Sequence, residues 1–465
     1  MGNGKRIVLV SNRLPPSEDF TAEKDVAERP VSGLVSALRP VLGNTESLWF
    51  GWSGRTLSGS EAGAVTISDF GTGRFVALDI PRREASLSYT AFSNRTLWPL
   101  LHNFPDRIVV RSESYSAYRR VNRRFAESLF PYLRPDDTLW VHDFHLIPLG
   151  GVLRELGWTG KIGFFLHVPF PSVDTFTILP WAQDLLEDLL VYDLVGLQTR
   201  SHAHNLMHTL IEELRLAQIG DAFVHKGRRC QIRVYPVGTD PDAFRRQAAI
   251  RSGSRAVSGL KRLLQGQKVV LGVDRLDYTK GVPQRLLTFE YLLEHRPSLR
   301  GKVGLVQISV PSRERVPEYA HEKRQTDEIV GRINGRFSRG QWIPVNFLYR
   351  AFTQQELTGF YNEADVCLVT PIRDGMNLVA KEYVAGRGDR SGVLVLSKFC
   401  GAAETMTEAL IVNPHDIKGT ADAIHHAITM PDEERERRWG RLVSEVETNT
   451  ATAWADSFLR DLAES

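Results

Sequence analysis

Two doubly wound α/β domains are the fold predicted for this 465-residue chain, and three observations predict it. Short apolar, β-branched runs recur at the spacing of strands separated by helices. They fall into two series with a polar joint between them. The chain is also too long for one compact core, which suggests two domains of roughly 200 residues or more each.

The first series comprises Arg6–Val10, Thr138–Val141, Lys161–Leu166, Leu194–Leu197 and Ile232–Tyr235, each read as a buried parallel strand. Between its first two members, Gly51 to Asp79 reads as turn-rich short strands, an excursion from the first sheet. The joint is the polar, aperiodic stretch from Gly238 to Gly266. The second series follows with Lys268–Val273, Val303–Ser309, Val345–Leu348, Val366–Val369 and Gly392–Leu396. After Pro414, Lys418–Met430 and Glu433–Ala463 read as helices. The expected domains are residues 1–240, residues 241–445, and a final helix over 446–465 that packs back on the first domain. Ligands of open α/β sheets bind beyond the carboxyl ends of the strands. Two such domains facing each other would therefore enclose a deep cleft.

Composition narrows the function classes. The 58 Lys and Arg against 55 Asp and Glu leave a formal charge of only +3, spread along the chain, which implies neither a nucleic-acid nor a membrane-surface partner. Nowhere do about 18 apolar residues follow one another, and the N-terminus lacks the apolar run of a signal peptide, so a cytoplasmic protein is expected. Cys230, Cys367 and Cys400 are odd in number and isolated, as in a reduced compartment. No metal-ligand spacing occurs, and the pair His142 and His145 has no obvious third partner, so no metal is expected.

The richest segment is Arg373–Ala385, where a strand runs through a glycine-containing turn into a helix. The amides of Met376, Asn377 and Leu378 would face an anion there, and the helix dipole would favour a diphosphate. Asp374 lies on the turn and Glu382 about two helical turns further in, so the two carboxylates can address different ends of one ligand. A nucleotide sugar has that shape. Gly272–Gly281 also begins at a strand end and puts Arg275 and Lys280 outside the sheet, where two cations can neutralise a leaving diphosphate without magnesium. Surface Arg and Lys in a helix-start loop are the plainer reading; the strand-end location and the facing diphosphate turn favour the functional one.

In the first series, Asp143 and His167 emerge at consecutive strand ends, Asp143 able to accept from a sugar hydroxyl or merely to cap a helix. Arg13 follows the first strand and could hold an acidic substrate, while Gly33 would permit close backbone approach to phosphate. Tyr89, Trp98 and Arg313 are ambiguous by themselves, since such residues are most often core or solvated.

Taken together these segments resemble the trehalose-6-phosphate synthases, glycosyltransferase family 20, which are retaining enzymes of the two-domain GT-B type. The resemblance runs nearly end to end. It rests on Val10–Arg13, Leu48–Gly54, Phe92–Asn94 with Leu97–Pro99, His142–Asp143, Gly163–Pro171, Arg275–Tyr278 with Lys280–Gly281, Gly331–Gly335 and Arg373–Ala385. It implies a donor site in which Arg275 and Lys280 grip the diphosphate and Gly33 closes over it. Glu382 would take the ribose hydroxyls, and the segment Gly375, Met376, Asn377, Leu378 and Val379 the phosphates and sugar. His167 and Asp374 would hold the transferred glucose. It implies an acceptor site in which Asp143 and Trp98 orient the sugar, and Arg13, Tyr89 and Arg313 bind its 6-phosphate, with Trp52 on the same side. The catalytic group would be Arg275, Lys280, Asp143, His167 and Asp374, with no cofactor. One departure is visible: Ser32 stands where the family commonly has the first of two glycines.

The implied reaction transfers glucose from a nucleoside diphosphate glucose, with UDP-glucose favoured, to glucose 6-phosphate, giving α,α-trehalose 6-phosphate. The alternatives are another phosphorylated acceptor such as glycerol 3-phosphate, or a non-catalytic sugar-phosphate sensor. A homo-oligomer is compatible with the sequence, and a separate phosphatase is expected to act downstream.

Overall fold

The structure is a computed structural model and describes residues 6–15, 38, 46–57, 65–70, 72–249, 257–259, 264, 266–313, 316–387 and 391–465. The chain divides into two compact units, crossing at Pro236/Val237 and returning at Ala451/Thr452, where the sequence had suggested 240/241 and 445/446.

The first unit is built on strands β1 (Ile7–Arg13), β2 (Ser47–Leu57), β3 (Val65–Phe70), β4 (Gly73–Pro81), β5 (Thr138–His142), β6 (Ile162–Phe165), β7 (Leu194–Leu197), β8 (Gln218–Ile219), β9 (Ala222–His225) and β10 (Arg228–Val234). Their order is β3-β4-β2-β1-β5-β6-β7-β10-β9-β8. From β4 to β10 every neighbouring pair is parallel, and among the described residues the antiparallel pairs, β3–β4, β10–β9 and β9–β8, lie at the edges. The expected excursion over Gly51–Asp79 is corrected here. β2 is an 11-residue strand paired directly to β1, and β4 is paired to β2. Gly51 is a glycine because a Cβ there would lie 2.6 Å from the Ser11 carbonyl oxygen, a need for close approach rather than for a turn.

The second unit carries β11 (Lys268–Arg275), β12 (Val303–Val310), β13 (Val345–Leu348), β14 (Val366–Val369), β15 (Val393–Ser397) and β16 (Leu410–Val412), all parallel. The order β13-β12-β11-β14-β15-β16 reverses direction between β11 and β14. Such a reversal opens a crevice at the carboxyl ends of those two strands. Val270, Leu305, Val366, Leu368 and Val395 of the sheet pack with Phe289 and Leu293 of helix Val282–His295 into one core.

The run Glu433–Ala463, read as one helix, is two: Asp432–Thr448 and Ala451–Glu464. Thr450, between them, bridges Thr239, and the Ala451 amide donates to the Thr239 carbonyl at 2.9 Å. The last helix belongs to the first unit. Phe458 stacks on Trp140 at 4.7 Å, and Trp454 meets Phe165 edge-on at 5.0 Å. A Cβ on Gly163 or Gly196 would lie 2.7 or 2.8 Å from the Phe458 ring, so these two glycines make room for it.

Candidate active site

In the second unit the two loops flanking the strand reversal are laced together. After β11, Asp277 caps a turn of 3₁₀ helix through its side chain, which accepts from the Thr279 amide at 3.0 Å. Lys280 ends that turn, and Gly281 follows with φ +66°. Only glycine fits, because a Cβ would also come 2.9 Å from the Thr370 carbonyl oxygen. After β14 the amides of Ile372 and Arg373 both donate to the Thr279 carbonyl, at 2.8 and 3.2 Å. This lacing brings Lys280 Nζ to 2.5 Å from Asp374 Oδ2, the same oxygen to which Asn377 Nδ2 donates at 3.0 Å.

Helix Leu378–Gly386 starts at this point. Its N-cap Asn377 is left-handed, with φ 71°, and its side-chain oxygen accepts from the Val379 amide at 3.2 Å. Of the backbone segment expected to meet phosphates and sugar, Val379 is therefore already committed. The amides of Met376, Asn377 and Leu378 have no acceptor among the described residues. Two helical turns in, Glu382 accepts from the Tyr361 hydroxyl at 3.0 Å, and burial pushes its carboxyl up to about 7 despite that bond.

Arg275 is exposed at the end of β11. Burial alone would raise the Asp277 carboxyl, but the positive charges of Arg313, Arg275 and Lys280 outweigh it and hold Asp277 below the usual carboxylate range. Asp277 accepts from the Tyr319 hydroxyl at 3.0 Å and pairs with Arg313 at 3.4 Å. Arg313 also bonds Tyr319 and sits at φ 47°. A non-glycine residue held left-handed in this way marks local strain of the sort that clusters at functional sites. The second unit thus concentrates Arg275, Lys280 and Arg313 around one buried carboxylate.

In the first unit the strand order reverses between β1 and β5, and Arg13 and Asp143 stand at those carboxyl ends. The Arg13 guanidinium lies 5.7 Å from the Trp52 ring centre. A Cβ on Gly54 would come 2.5 Å from that guanidinium, so the glycine leaves it room. Trp52 meets Tyr89 at 5.7 Å, and Tyr89 stacks on His145 at 5.7 Å. His145 Nδ1 in turn is 4.0 Å from Asp143 Oδ2. One cation, two aromatic rings, an imidazole and a carboxylate form a continuous row. Asp143, at φ 76°, accepts from the His167 amide at 3.1 Å, and the His167 Nε2 is 3.1 Å from the buried His142 Nδ1. Burial pushes the His167 imidazole down to about 3 and, with that second imidazole beside it, holds His142 well below its ordinary value. Both rings are neutral at physiological pH.

Trp98 is buried, with its ring 4.0 Å from His102 and 6.0 Å from Phe144, a layer behind the row. Arg313, grouped by resemblance with Arg13 and Tyr89, joins the Asp277 cluster within the second unit. Ser32 and Gly33 lie outside the described residues. Asp277, Tyr319, Tyr361 and His145 are site residues that the sequence does not mark as such; His145 stands out there only as a candidate metal ligand beside His142. No local pattern marks the two tyrosines, which reach their partners from separate helices. Among the described residues no group of three or more His, Cys, Asp or Glu could hold a metal ion.

A family model for glycosyltransferase family 20 matches residues 5–464. The chain belongs to glycosyltransferase family 20. It is 40% identical over 459 residues to a trehalose-6-phosphate synthase of Klebsiella pneumoniae, covering 98% of this chain and 95% of that one. Among solved structures it resembles a UDP-forming α,α-trehalose-phosphate synthase of Burkholderia xenovorans in complex with glucose 6-phosphate, with TM-score 0.93 and 37% identity over 98% of this chain and 100% of that one. An E. coli structure bound with UDP-2-fluoro glucose gives TM-score 0.92 and 37% identity, covering 98% and 99% of the two chains. The α/β fold with two parallel-sheet domains is the GT-B fold of this family. No helix among the described residues is long and apolar enough to cross a membrane.

Proposed function

We propose that this family 20 glycosyltransferase moves glucose from UDP-glucose to the anomeric hydroxyl of glucose 6-phosphate, with retention, giving α,α-trehalose 6-phosphate and UDP. The observation that carries this is the meeting of Lys280, Asp374 and the N-terminus of helix Leu378–Gly386 at the strand reversal of the second sheet. Such a site suits a diphosphate joined to a sugar: peptide amides and a lysine for the phosphates, a carboxylate for hydroxyls. Relatives named as UDP-forming synthases support the choice of donor.

In this reading the C1–O bond to the diphosphate breaks as the acceptor oxygen approaches the same face. The departing phosphate oxygen takes the acceptor's proton, and the C1–O bond to the acceptor forms. Lys280, Arg275 and the helix amides stabilise the charge growing on the leaving group, each such preorganised donor supplying about 3 kcal/mol. Asp374 holds glucose hydroxyls, and Glu382 the ribose. Arg13 and the Trp52–Tyr89 row take the phosphorylated acceptor together with Asp143. The chemistry so written draws its cations from side chains and assigns no step to a metal.

The test is nucleoside diphosphate release from UDP-, GDP- and ADP-glucose with glucose 6-phosphate, glycerol 3-phosphate or glucose as acceptor. Release with UDP-glucose that depends on glucose 6-phosphate supports the reading. Faster turnover of glycerol 3-phosphate, or binding without turnover of any pair, refutes it.

A further inference from the structure

Below the diphosphate loops lies a charged network that the proposed chemistry does not use. Arg285, on helix Val282–His295, is buried to 2% exposure and reaches residues on or just after three adjacent strands. Its Nη1 donates to Asp274 Oδ2 of β11 at 2.5 Å and to Gln307 Oε1 of β12 at 2.9 Å. Its Nε donates to Thr370 Oγ1, the residue immediately after β14, at 3.0 Å. Gly272 opens the space, since a Cβ there would lie 2.6 Å from Arg285 Nη1 and 2.3 Å from Gln307 Oε1. The arrangement is costly. Burial raises the Asp274 carboxyl in spite of its arginine, and Arg285 Nη2 is buried with no partner among the described residues. If holding helix to sheet were the whole task, an apolar side chain would do it at lower cost.

Resting on the transferase reading, we infer that Arg285 is a positioning residue for the leaving-group site. Asp274 is followed closely by Arg275 and Lys280, and Thr370 by Asp374 and Asn377. The guanidinium fixes the relative register of β11 and β14, from whose ends these two sets of side chains project. It touches none of the reacting groups; it sets where Lys280 and Asp374 meet.

The experiment pairs the double replacement Arg285→Met with Asp274→Leu against Gly272→Ala, measuring kcat, the KM of each substrate and the unfolding midpoint. Replacing a buried ion pair with apolar residues is commonly neutral or stabilising, but the change also strips buried Gln307 Oε1 and Thr370 Oγ1 of a donor, so the double variant is expected to fold with a midpoint at or modestly below wild type. Its kcat is expected to fall about a hundredfold, the cost of a displacement on the order of 1 Å, with the acceptor KM unchanged. Gly272→Ala keeps every charge and pushes the guanidinium aside, so it tests the same point even if the double variant does not fold. A kcat within about twofold of wild type in either folded variant, whatever its midpoint, overturns the inference. Wild-type protein that transfers no glucose instead sinks the transferase reading, which separates the two failures.

Discussion

Replacing Glu382 by glutamine should move stability and nucleotide affinity in opposite directions, the stability gain growing as pH rises from 4.5 to about 7 and complete above it. Burial moves this carboxyl from 4.5 to about 7. At about 1.4 kcal/mol per pH unit the displacement amounts to ~3 kcal/mol. The sign follows from proton binding. Below pH 4.5 Glu382 is protonated in folded and unfolded chains alike, and its burial costs little. Between 4.5 and 7 the folded chain keeps the proton while the unfolded chain releases it, so stability from this group is lost as pH rises. Above 7 the full penalty of a buried carboxylate is in place. Glutamine is never charged and keeps an oxygen to accept from Tyr361, which now donates at 3.0 Å. Glu382→Gln should therefore be more stable than wild type by up to about 3 kcal/mol at pH 8 and indistinguishable from it at pH 4.5. The assay is urea unfolding at both pH values beside UDP titration calorimetry at pH 8, where loss of the charged acceptor should weaken binding about tenfold or more. Equal stability of the two proteins at pH 8 would refute the burial argument. Equal UDP affinity would remove Glu382 from the ribose site.

Three further outcomes are expected. Lys280→Ala and Arg275→Ala should each lower kcat/KM about a hundredfold or more, with circular dichroism unchanged; near-normal initial rates in either would count against the leaving-group assignment. Arg13→Ala should raise the KM for the phosphorylated acceptor with little change in kcat, and an unaltered KM would take Arg13 out of the acceptor site. Gly238→Ala should destabilise by about 1–3 kcal/mol, read by calorimetry, because its Cβ would lie 2.1 Å from the Asn449 carbonyl oxygen and backbone cannot yield as a side-chain tip does. A melting curve that superimposes on wild type would show that the two segments part more easily than their pairing implies.

Much of the fold could be read from sequence because a parallel strand buried on both faces is an unbroken apolar run. Val366–Val369 and Lys268–Val273 are such runs, and both form strands. β2 escaped because Gly51, Ser53 and Gly54 look like turn residues. Gly51 is small for a different reason, the proximity of the Ser11 carbonyl, and Gly54, at φ 88°, also leaves room for the Arg13 guanidinium; contact across a sheet leaves no local signal. The break at Asn449 and Thr450 was hidden for the same cause. Neither residue is glycine or proline, and the helix ends there because Thr450 pairs with Thr239, over two hundred residues away. In the site, the Lys280 and Asp374 segments could be named from their strand-end positions, but not the partners arriving from elsewhere, such as Tyr319 on Asp277 and Tyr361 on Glu382.

The two sheets solve one geometric problem with different chemistry. Each reverses strand order beside its first strand, so each opens a crevice at the ends of two parallel strands. In the second unit that crevice is edged by a helix N-terminus and by lysine and arginine, groups whose attraction grows with the negative charge opposite them. In the first it is edged by Arg13, Trp52, Tyr89, His145 and Asp143, a row whose flat apolar faces suit a sugar ring and whose single arginine suits one phosphate. Charge development in glycosyl transfer falls on the leaving diphosphate, while the acceptor phosphate is as charged after the reaction as before. On the proposed assignment, Lys280 and Arg275 would therefore bind the transition state more tightly than the substrate, and Arg13 would not. That asymmetry is why loss of Lys280 should appear in kcat and loss of Arg13 in KM.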